Sequence, residues 1–169
     1  YNLYKSGIRY MKDIPDNPDL SFAQKTQIEV ERTKTPFIQV EKLKEFMNSI
    51  QYPLYFLDFE TVNPAIPIYP KAKPYQHVPF LYSLHVQANP DSPTEHYSFI
   101  DNNIDDPRKK ILSELSNLIS SNGTIICYND AFERRCIKES VELFPEYADW
   151  YSSISERFKD LSDPFRFFY

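Results

Sequence analysis

Glycine is almost missing from this chain, with two in 169 residues. Loops that wrap phosphate in backbone N–H groups need several glycines close together, so P-loop and dinucleotide-binding folds are excluded. Cysteine is as scarce. Cys127 falls in an expected strand and Cys136 in the helix after it, so both read as small core residues of a protein in a reducing cytoplasm. No Cys/His spacing suggests zinc. Long apolar runs are lacking too: none approaches the ~20 residues that cross a bilayer, and no signal peptide opens the chain. A soluble, cytoplasmic protein without a membrane partner is expected. Positive charge is not in excess either. The formal net charge is -5, so no global field draws nucleic acid to the surface. That weighs against a pure nucleic-acid binder but not against an enzyme, because a cluster of metal-binding acids lowers the net charge by itself.

What is present is an ordinary globular mix, 41% hydrophobic and 25% charged, with aromatics high at 16%. The length suits one domain plus an appendage. The sequence begins at Tyr1 and stops inside the aromatic run Phe165-Arg166-Phe167-Phe168-Tyr169, which reads as a piece of a longer protein.

Residues 1–50 read as a separate helical segment or linker. A Gly7 turn after Leu3-Tyr4 is either a packing turn or a weak match to helix-hairpin-helix DNA-backbone binders. Ser21 and Gln24 make a capping box for a helix through about Arg32. Leu43, Phe46, Met47 and Ile50 fall at helical spacing over roughly 40–50 and are expected to lie in the core. Residues 51–169 read as α/β. A strand over 54–61 is followed by a proline-rich loop, by strands over 80–88 and about 95–100 that form a hairpin, and by a helix entered at Asp106-Pro107. Ile111, Leu112, Leu115, Leu118 and Ile119 give that helix one apolar face. Thr124-Ile125-Ile126-Cys127-Tyr128 is a short buried strand, and 130–144 form another helix. This order matches the first part of a ribonuclease H-like mixed sheet, whose next strand and helix are expected beyond Tyr169 or incomplete.

The residues that carry chemistry begin with Asp58-Phe59-Glu60-Thr61, closing the apolar run Leu54-Tyr55-Phe56-Leu57. Side chains alternate along a strand, so Asp58 and Glu60 point the same way. Two carboxylates held in apolar surroundings repel each other and lose hydration, which costs several kcal/mol unless a cation is shared. A divalent metal with oxygen ligands is the expected remedy. The alternative is a solvated pair at the rim of the sheet. About seventy residues later, Tyr128-Asn129-Asp130-Ala131-Phe132-Glu133 leaves a strand and opens a helix, so it should reach the same edge, where ligands bind in open α/β sheets. Asp130 with Glu133 is also a capping box, which would stabilise by about 1 kcal/mol with no catalysis.

Asp58-Phe59-Glu60-Thr61 and Tyr128-Asn129-x-x-Phe132-Glu133 resemble the first two motifs of the DEDD-type 3′–5′ exonucleases of the ribonuclease H-like superfamily. With Pro74-Tyr75-Gln76 and Phe80-x-Tyr82-Ser83-Leu84-His85, they also look like a bacterial family of uncharacterised proteins in which such a domain follows a RecB-like nuclease domain. The resemblance spans most of residues 50–169. It implies that Asp58, Glu60 and Glu133, with an acid from a later segment, hold two Mg²⁺ or Mn²⁺ ions about 3.5–4 Å apart and hydrolyse terminal phosphodiesters of DNA or RNA. Thr61, Asn129, Tyr75 and His77 would contact substrate, and an adjacent nuclease domain would be the partner. Two departures matter. The third motif of the exonucleases, with its His or Tyr and final Asp, has no counterpart before Tyr169, and Asp160-Leu161 matches only an accessory position. Glu133 stands where the family has Asp, and a displacement of about an ångström can cost roughly a hundredfold in rate. A degenerate module that binds nucleic acid or a partner domain is therefore the alternative. The loop over 62–79 combines cations with rings at Tyr69, Lys71, Lys73, Tyr75 and His77, as single-strand binding surfaces do, or is simply a rigid solvated loop. Arg134 and Arg135 face phosphate or solvent, and Arg108-Lys109-Lys110 reads as a solvated helix start.

Overall fold

Alternation from Tyr55 onward marks the central strand β1 (Leu54–Val62): Tyr55, Leu57 and Phe59 are buried on one face, while Asp58 and Glu60 on the other are exposed. The computed structural model describes residues 2–101 and 105–168; Tyr1 and Tyr169, the ends read above as cut, lie outside them. β1 pairs antiparallel with β2 (Val78–Gln87), which pairs antiparallel with β3 (Thr94–Ile100). On its other side β1 pairs parallel with β4 (Thr124–Cys127), and β4 pairs parallel with β5 (Phe158–Asp160). The five-stranded sheet runs β3-β2-β1-β4-β5, a mixed arrangement compatible with a ribonuclease H-like α/β fold. The strand expected beyond Tyr169 or incomplete is present as the short β5. At three residues it is too brief to announce itself by alternation.

One face of the sheet is covered by α4 (Arg108–Leu118), α5 (Ala131–Leu143) and α6 (Ala148–Ile154). Ile111, Leu112 and Leu115 of α4, Cys136, Ile137 and Val141 of α5 and Ile154 of α6 join Tyr55, Leu57, Tyr82, Leu84 and Ile125 in one core. Both cysteines lie in it, as expected, and burial pushes the Cys136 thiol up to about 12. The turn into β4 needs Gly123: its φ is 86°, and a Cβ there would stand 2.1 Å from the Pro53 carbonyl oxygen. Arg157 fastens the same turn, donating to Gly123 O at 2.8 Å and Ser120 O at 2.6 Å. A bulge interrupts the β1–β2 pairing near its end: Glu60 faces Leu81 and Thr61 faces Pro79, leaving Phe80 extra.

The helical segment behaves differently. The capping box Ser21/Gln24 forms and starts α2 (Phe22–Thr33), but α1 (Asn2–Lys5) is followed by a single 3₁₀ turn, so no helix pair forms across Gly7. A Cβ at Gly7 would meet nothing within 4 Å, so it is not a packing turn either. α3 (Val40–Asn48) buries no residue, and Met47 is 63% exposed. The expected core stripe is therefore a half-exposed face, because helical periodicity reports a sidedness and not what covers it. Gln39 ties this segment to the far end of the chain: its N–H donates to Phe168 O at 2.7 Å and its side-chain amide to Phe167 O at 2.9 Å. Among the described residues no helix is long and apolar enough to cross a membrane.

Candidate active site at the carboxyl edge of the parallel strands

Three parallel strands end at one edge. The register sets Phe56 beside Ile126 and Cys127 beside Asp160, so Asp58 and the junction 128–133, just beyond the parallel pairing, reach the same edge as Asp160 at its last pair. Carboxylates delivered this way share one neighbourhood, and the Cys127 thiol records it. Burial raises its pKa first, and Glu133, Asp130, Asp58 and Asp160 each raise it further.

The acids differ in hydration. Asp58 and Glu60 share a face, but that face meets water, so the argument from apolar surroundings is corrected for this pair. Their immediate neighbours Leu57 and Phe59 turn to the opposite side of the pleat, and the apolar residues on the same face, Leu54 and Phe56, lie toward the far end of the strand. The desolvated acid is Glu133. It is 3% exposed on the first turn of α5, and its Oε2 has no hydrogen-bond partner. Burial pushes its pKa up to about 7; its own N–H opposes that, while Asp58, Asp130 and Asp160 add to it. Asp130 makes no side-chain cap bond and pairs instead with Arg134 at 3.4 Å, so the capping-box account of Glu133 does not hold.

Asn129 turns the chain from β4 into α5. It takes φ 66°, and its N–H donates to Asp160 Oδ1 at 2.8 Å, the same oxygen that accepts the Ser162 N–H at 2.8 Å. Burial acts upward on Asp160, but its pKa is lowered overall by Ser162, by the Asn129 N–H and by Arg166 at 3.8 Å. The buried Ser162 hydroxyl itself completes no hydrogen bond of good geometry. Asp160 therefore holds the junction that aims Glu133, a role its bare position in sequence did not signal.

The structure brings Asp58 and Glu133 together with Asp130 and Asp160, the carboxylates acting most strongly on Glu133; Glu60 is not among these. Among the described residues no three His, Cys, Asp or Glu side chains converge into a ready metal cage. The orphaned Glu133 oxygen, at the strand edge that Asp58 also reaches, nevertheless fits a divalent ion of the magnesium kind, which is held by one or two carboxylates plus water and substrate phosphate rather than by a full protein cage. Thr61 Oγ1 and His77 Nδ1 are 2.9 Å apart, and the His77 ring meets Phe132 edge-on at 5.2 Å. The two motifs are thus bridged through Thr61, His77 and Phe132. Tyr75 projects from the loop, 69% exposed with φ 59°, and Gln76 donates to Glu139 at 2.9 Å. Arg108 is no solvated helix start. It is 2% exposed, forks onto Asp106 and donates to Pro70 O at 3.0 Å, pinning the proline-rich loop to α4. Asp106 is two residues away, but no local signal marks the pinning role, because Pro70 becomes a neighbour only when the loop folds back.

The model of a domain-of-unknown-function family, DUF2779, matches residues 55–169, and the chain belongs to that family. No curated protein matches the chain.

Proposed function

We propose that this domain is a metal-dependent nuclease of the 3′–5′ exonuclease type, part of a larger bacterial cytoplasmic nuclease. The observation that carries the reading is the buried, unpartnered Glu133 oxygen at the strand edge where Asp58 and Asp160 also end. A carboxylate is kept dry and unpaired at a cost to stability, and such perturbed acids concentrate at functional sites. Mg²⁺ or Mn²⁺ bound there would supply a water of lowered pKa and neutralise a leaving 3′ oxygen. Asp58 and Glu133 would hold the ions, with Glu60 reaching in from the same face of β1. Asp160 positions the Asn129 turn, and Thr61 with His77 forms the wall against which a terminal nucleotide rests. The fourth acid and the general base would come from a later segment. The resemblance of the two motifs to DEDD-type exonucleases supports the same reading.

The test is Mn²⁺-dependent trimming of a labelled oligonucleotide from its 3′ end. Asp58→Asn should lower the rate at least roughly hundredfold. Asp58 is exposed, so the fold should be unaffected. Trimming that survives the substitution would remove these residues from the mechanism. A second reading, a module that binds without cleaving, is favoured by the lack of a ready cage among the described residues. It gains if Mn²⁺ at millimolar concentration leaves Asp58 and Glu133 uncontacted even with an oligonucleotide present.

A further inference from the structure

Beside this site, across the wall made by His77, lies a polar cavity of about 560 Å³ between the loop over 63–77 and α5. Its cations are Lys71 and Lys73 from the loop and Arg135 and Lys138 from the helix. Among the described residues none of these four enters an ion pair. Of the two glutamates in its lining, Glu139 is engaged by Gln76 at 2.9 Å, which stitches the loop to the helix. Arg108 at its base is neutralised by Asp106. In a chain with formal net charge -5, four cations without an ion pair, set against only Glu139 and Glu142, leave this cavity positive, a local inversion of the surface field.

The backbone points the same way. Four described residues other than glycine hold a positive φ, and three of them, Lys71, Tyr75 and Asn129, surround this cavity and the acid junction. Lys71 and Tyr75 adopt it in a loop where a glycine would do so without strain, so their side chains are presented at a conformational cost. Tyr75 places an exposed ring at the cavity mouth. Cations that neutralise phosphates next to a free aromatic face are the arrangement that binds single strands.

We infer that this cavity is a backbone-phosphate site for single-stranded nucleic acid, entered by the strand whose end lies at Asp58 and Glu133. Lys71, Lys73, Arg135 and Lys138 neutralise successive phosphates, and Tyr75 stacks on a base. A base free to stack on the exposed Tyr75 ring is offered by a single strand and not by a duplex, whose bases are already stacked and paired. The inference rests on the nuclease reading for the direction of the strand, but binding itself is measured without hydrolysis.

The experiment is fluorescence anisotropy of a short labelled oligothymidylate with the full chain in EDTA, titrated at several salt concentrations. Lys71→Gln with Lys138→Gln should weaken binding at least roughly tenfold at low salt and flatten the salt slope by about 1.4, two phosphate contacts' worth. Tyr75→Ala should weaken it roughly tenfold with the slope unchanged. Lys42→Gln with Lys44→Gln, on α3, controls for general charge and should bind as the parent does. The inference is overturned if the cavity variants bind like the parent, if the α3 pair loses as much, or if duplex of the same length binds equally well. Loss of binding in the cavity variants with Asp58-independent trimming would keep this site and discard the hydrolytic reading. Normal binding with Asp58-dependent trimming would do the reverse.

Discussion

The two faces of β1 make opposite use of neighbouring residues. Tyr55, Leu57 and Phe59 go under α4 and α5, where each methylene removed from water adds to stability. Asp58 and Glu60, one position away on the pleat, stay in water and are free to meet a ligand. Stability and chemistry are interleaved at single-residue spacing, so a shift of one position would exchange them. The exception is Glu133, a carboxylate placed on the buried side, and it carries the penalty that the exposed pair escapes.

Substitutions can break that contrast or sharpen it. The largest effect on stability is expected at Arg108→Ala, which leaves Asp106 without its fork and releases Pro70; about 3–5 kcal/mol should be lost in denaturant unfolding, with faster amide exchange over the loop 63–77. Leu57→Ala should cost about 2–5 kcal/mol in the same measurement, whereas Glu60→Ala on the adjoining face should change it by less than about 0.5 kcal/mol. A similar loss at both positions would mean that the two faces are not distinct.

Glu133 gives a pH-dependent version of the contrast. Its folded pKa of about 7 lies above the ordinary 4.5, so the unfolded chain ionises first as pH rises. Its contribution is therefore undiminished below about 4.5 and is lost progressively up to about 7, by an amount on the order of 3 kcal/mol. Glu133→Gln should remove that slope, melting above the parent at pH 8 and close to it at pH 4, as thermal melts would record. A Gln variant that is less stable at pH 8 would show that the carboxylate has a partner that offsets its burial. The smallest effect is expected far from the sheet: Met47→Ser on α3 should alter stability by less than about 0.5 kcal/mol, because Met47 is already in water.

Much of the fold was legible in particular residues. The strand over 54–61, the Ser21/Gln24 box, the hairpin of the next two strands and the apolar face from Ile111 to Ile119 each report a local preference that the structure keeps. The short β5 was not legible, nor was the exposure of α3. Three residues carry no period, and an apolar stripe says nothing of what lies opposite. At the site, the shared face of Asp58 and Glu60 could be read from the pleat, while the choice between a dry pair and the solvated pair that the structure shows could not. Asp160 and Arg108 escaped because each acts on residues distant in sequence, Asn129 in one case and Pro70 in the other.

By itself the sequence determined the elements and the side of each on which apolar atoms lie, because these follow from backbone periodicity and from which groups water rejects. Which carboxylate is dry was settled only by tertiary structure. Burial and Coulomb interaction depend on distances between segments, and Glu133 became the strained acid only once β1, β4 and β5 were set side by side.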